Sequence, residues 1–86
     1  MTFQGSIIRE QGVTFAIVVV KPHIVQSQRA AQDAIRAFQP AFPGVPVALM
    51  AQDAFGTPTY YGRQDIVQFL SHVPMQCIPW KEFYLS

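Results

Sequence analysis

Apolar and polar positions along the chain fall into two rhythms. Residues 13–21, VTFAIVVVK, are apolar at nearly every position, the pattern of a central strand covered on both faces. Ile7 and Ile8 precede them in a weaker run, separated by Gln11-Gly12, so the pair predicts a β-hairpin whose first strand lies at an edge. The rhythm then changes. In SQRAAQDAIRAF, Ala31, Ala34, Ile35 and Phe38 recur at helical spacing and form one apolar stripe. Ser27 is the expected N-cap, Asp33 is placed to pair with Arg29, and Pro40 ends the helix. Pro22 suits the first position of an earlier turn spanning His23 to Val25.

A second buried strand is expected over VPVALMAQD, with Val47, Leu49 and Ala51 on one face. Turn chemistry follows between Asp53 and Pro58, and TYYG returns as a short antiparallel strand. Ile66, Phe69, Leu70 and Val73 mark a second helix, closed by Pro74. The tail MQCIPWKEFYLS is apolar and aromatic, and Pro79 restricts it to an edge strand or an extended strap. The order is ββαββαβ. Its central strand–helix–strand unit fits a right-handed parallel crossover. The expected class is a mixed α/β (α+β) fold: one two-layer domain over residues 1–86, with a mixed sheet and two helices packed on it.

Composition narrows the partners. Half the 86 residues are hydrophobic and only 13% are charged, which argues against disorder and favours an oligomer that hides part of its surface. The basic residues, Arg9, Lys21, Arg29, Arg36, Arg63 and Lys81, are scattered, so neither a phosphate-tracking surface nor a membrane-attracting patch is expected. Cys77 is the single cysteine, which excludes an intramolecular disulfide, and it reads as a small buried hydrophobe. With only His23 and His72 beside it, no metal site or cofactor is expected. The N-terminal stretch lacks the pattern of a signal peptide, and no apolar run is long enough to span a bilayer, so a cytoplasmic protein is expected.

Candidate chemistry gathers where strands leave the core. Ligands of open α/β sheets bind beyond the carboxyl ends of parallel strands. Lys21 and His23 follow one such end, Asp53 follows its partner's, and the second helix runs back towards the same edge with His72. Lysine suits an anion, and histidine beside a carboxylate suits a general base. The plainer reading is a strand-to-helix turn, and no P-loop, dinucleotide fingerprint or nucleophile elbow accompanies it. Tyr60, Tyr61 and Arg63 form a candidate aromatic and cationic interaction patch. Trp80, Phe83 and Tyr84 either strap the core or offer an edge for strand addition.

Residues 44–70, GVPVALMAQDAFGTPTYYGRQDIVQFL, resemble the second half of a thioredoxin-type fold: Val-Pro before a buried strand, a hairpin, a glycine and a helix. The resemblance implies inspecting Pro46 for a cis peptide. Lys21, Pro22, His23 and Ile24 stand after the first strand in place of Cys-x-x-Cys, so it implies no thiol–disulfide chemistry. Two functions remain open. One is a non-enzymatic module that self-associates or docks on a protein through edge strands and aromatics. The other is a small-ligand or catalytic site built from Lys21, His23 and Asp53.

Overall fold

Consecutive apolar residues in β2 (Val13–Val19) and β3 (Val47–Gln52) place these strands at the centre of a five-stranded sheet. The computed structural model describes residues 1–10 and 12–85. Gln11, assigned by sequence to the first hairpin turn, lies outside the described residues. The other strands are β1 (Thr2–Glu10), β4 (Pro58–Tyr61) and β5 (Lys81–Tyr84), and the sheet order is β4-β3-β2-β1-β5. Only β2 and β3 run parallel, joined through the one-turn α1 (Pro22–Val25) and through α2 (Gln28–Phe38). The chain forms a single α+β domain in the expected ββαββαβ order.

The helices divide between the two faces of the sheet. Ala16, Val18, Val47 and Leu49 meet the stripe of α2 on one face. Phe15, Ile17, Ala48 and Met50 meet Ile66 and Leu70 of α3 (Gln64–Leu70) on the other. The arrangement therefore has three layers where both helices on one face would give two. The reason lies in the strands: alternate residues of β2 and β3 point opposite ways, and both sets are apolar and require cover.

Local signals set the helix ends. Ser27 Oγ accepts from the Ala30 amide at 3.2 Å, capping α2. Asp33 pairs with Arg36 on this helix instead of Arg29. In α3, Arg63 grips the Asp65 carboxylate through two nitrogens at 2.8 and 2.7 Å. These hydrogen bonds, more than charge alone, hold the Asp65 carboxyl down at about 2.

Over Thr2 to Gly5 the first strand is covered, and only its Ile7–Ile8 part keeps the expected edge position. β5 pairs with Thr2 to Gly5 of β1, and the Met1 and Leu85 backbones continue the ladder. An aromatic cluster locks this corner: Phe83 stacks on Phe3 with centroids 5.6 Å apart and meets Phe42 edge-on at 5.2 Å. Trp80, partly buried, packs against the core on the α3 face, and its indole nitrogen donates to the Met75 carbonyl at 3.2 Å.

Ser6 is completely buried in β1, on the face towards α3, and its hydroxyl has no protein partner. A buried unsatisfied hydroxyl costs stability that its removal restores. Ser6→Ala is therefore expected to stabilise the domain by about 1 kcal/mol in urea melts. A destabilised variant would mean that the hydroxyl is hydrogen-bonded in the folded protein.

Candidate functional site

The carboxyl ends of β2 and β3 bring together only part of the predicted constellation. Lys21 and His23 are exposed and border one shallow depression, walled by Phe3, Ile24, Ala34 and Phe38 on the α2 face. Asp53 and His72 do not border it. Asp53 Oδ1 accepts from the Phe55 and Thr57 amides at 2.8 and 2.9 Å, so this carboxylate shapes the β3–β4 turn. Gly56 supplies the positive φ, 83°, that the turn requires. His72 Nδ1 lies 2.9 Å from the Gln68 carbonyl and 3.2 Å from Ser71 Oγ, in the turn just past the end of α3. Each of the two thus serves local structure.

The same turn holds out a residue that sequence reasoning missed. Phe55 is 93% exposed at its tip. The signal was present in the Asp-x-x-Gly spacing, which forces a tight turn and leaves its central side chains no core to enter.

Tyr60 and Tyr61 are both half-buried and pack on opposite faces of the sheet. The Tyr60 hydroxyl is enclosed without a protein partner, and burial raises its pKa. Arg63 is exposed but held by Asp65. Of the tail aromatics, Trp80 and Phe83 face the protein's own core, and Tyr84 alone stands out, 72% exposed. Cys77 is exposed, because the 3-10 turn Met75–Cys77 directs it outward while Ile78 fills the core position.

A different feature emerges from the hydrogen-bond directions along β1. The amides of Ala16 and Val20 donate across to Pro46 and Met50, so alternate residues of β2 address β3. Phe15 and Ile17, at the intervening alternate positions of β2, address β1, where they oppose Ile8 and Ser6. It follows that the N–H and C=O groups of Gly5, Ile7 and Arg9 point the other way. Gly5 meets Lys81 of β5, but β5 begins there, so among the described residues no strand pairs with Ile7 or Arg9 on that side. Four backbone groups are left at a notch beside Ser6 to Glu10.

The notch has an apolar floor. A groove of about 420 Å³ runs along it, bordered by Ile8, Phe69, Val73, Ile78 and Pro79. On the opposite face, Ile7 is 49% exposed. The other sheet margins are better defended: Pro58 removes a donor from β4, and Lys81 and Glu82 place charge on β5.

No known family model, curated protein or solved structure matches the chain. The resemblance of residues 44–70 to thioredoxin-type folds thus stands on that strand–hairpin–helix segment alone. At Pro46 the expected cis peptide is absent: the bond is trans. No helix among the described residues is long and apolar enough to cross a membrane.

Proposed function

We propose that this protein is a non-enzymatic association module that works by strand addition at the open part of β1. The observation that carries the reading is the notch itself, where outward backbone groups of Ile7 and Arg9 adjoin an apolar groove. Backbone hydrogen bonds supply affinity in this mode, and pockets beside the edge select side chains. Low charge and the exposed Ile7 support association. A ligand or catalytic site at the opposite end has less support, because Asp53 stands outside the depression shared by Lys21 and His23.

Arg9→Pro tests the reading. Proline is tolerated in a strand whose N–H faces outward, so the fold survives while one donor of the notch is lost. Sedimentation of the wild type is expected to show association that grows with concentration, and Arg9→Pro to remain a folded monomer. A wild type that stays monomeric at millimolar concentration, or a variant that associates equally well, would overturn the reading.

A further inference from the structure

We infer that the occupant of the notch is β1 of a second copy, paired antiparallel about a two-fold axis through Ile8. The inference rests on the association reading above and specifies its partner and register. In this register Ile7 of each copy opposes Arg9 of the other, Ile8 opposes Ile8, and Ser6 opposes Glu10.

Three features of the edge select it. The first is hydrogen bonding. Ile7 and Arg9 are the residues whose groups point outward, and opposed hydrogen-bonded residues exchange both their bonds. The two Ile7–Arg9 pairs therefore satisfy every outward group of the notch on both copies. A register centred on Arg9 sets two arginines face to face, which is unfavourable. One centred on Ile7 brings Arg9 against Gly5, whose outer side is already taken by Lys81.

The second feature is length. Lys81 occupies the place beside Gly5, so an incoming strand must stop opposite Ser6. In the proposed register the residue there is Glu10, where β1 ends before the chain re-enters the sheet at Val13. The available edge and the incoming strand have the same extent, Ser6 to Glu10.

Side chains provide the third. Ile8 points to the α3 face, where it borders the groove with Phe69, Val73 and Pro79. Its counterpart from the second copy enters that groove from the axis. On the other face, the Arg9 stem of one copy covers the exposed Ile7 of the other.

The axis gives the inference a direct chemical test. Residues in a non-hydrogen-bonded antiparallel pair have Cα atoms about 4.5 Å apart, within the roughly 4.4–6.8 Å range of disulfides. In a Cys77→Ser background, Ile8→Cys is expected to form a covalent dimer under mild oxidation. Ile7→Cys mixed with Arg9→Cys should crosslink as a heterodimer, which covers the case in which Ile8→Cys fails to fold. Sedimentation of the reduced proteins runs alongside. A non-covalent dimer in which neither bond forms would overturn the proposed partner geometry but leave association standing. A chain that never dimerises would overturn both.

Discussion

Replacing Gly5 with alanine is expected to remove most of the folding stability. A Cβ at this position would lie 2.5 Å from the Ile17 carbonyl oxygen and 3.6 Å from the Phe83 ring. The first contact is with backbone, not with the tip of a flexible side chain. Relief would require β1 and β2 to separate at the end of their ladder, where Gly5 pairs with Val18. Overpacking costs roughly 1–3 kcal/mol and occasionally more, and this case belongs at or above the top of that range. The same shift would loosen Phe83 from Phe3, so β5 should fray as well. Urea melts with near-ultraviolet dichroism would measure both effects. A variant as stable as the wild type would show that the two strands are not held as described.

Trp80→Ala is expected to cost about 3 kcal/mol, the lower end of the usual range for losing a core tryptophan, since this ring is only partly buried. The loss has two sources. The indole packs against the α3-face cluster, and its nitrogen satisfies the Met75 carbonyl. Trp80→Phe should recover part of the packing but not the hydrogen bond. Thermal melts of the two variants separate the contributions. Because Trp80 lies in the protein's own core, association of any surviving folded fraction should persist; a variant of unchanged stability that has lost association would place the ring in an interface instead.

The parts of the fold visible in sequence were those set by local periodicity. Ala31, Ala34, Ile35 and Phe38 announce α2, and Ile66, Phe69, Leu70 and Val73 announce α3, because helical spacing leaves an unambiguous stripe. The unbroken apolar runs of β2 and β3 marked central strands. They also implied helices on both faces, a consequence that the two-layer expectation did not carry through. The position of β1 could not be read the same way, since its neighbour β5 lies at the far end of the chain and their pairing is non-local.

Site residues followed the same division. Lys21 and His23 share a depression because they leave the same strand end. Asp53 and His72 do not join them, since nearby backbone groups engage their polar atoms first. The notch was hidden because it depends on where β5 stops. One clue existed: Pro79 lacks an N–H, so it cannot donate to the ladder where the register would set it opposite Ile7.

Hydrogen exchange at single amides, followed as concentration rises, tests the open edge of β1 most directly. In dilute solution the Ile7 and Arg9 amides should exchange rapidly while Ile8, bonded to β2, is protected. As association sets in, Ile7 and Arg9 should gain protection together, and the outward amide of Tyr60 in β4 should not. Continued rapid exchange at Ile7 and Arg9 in an associated sample would contradict strand addition at this edge.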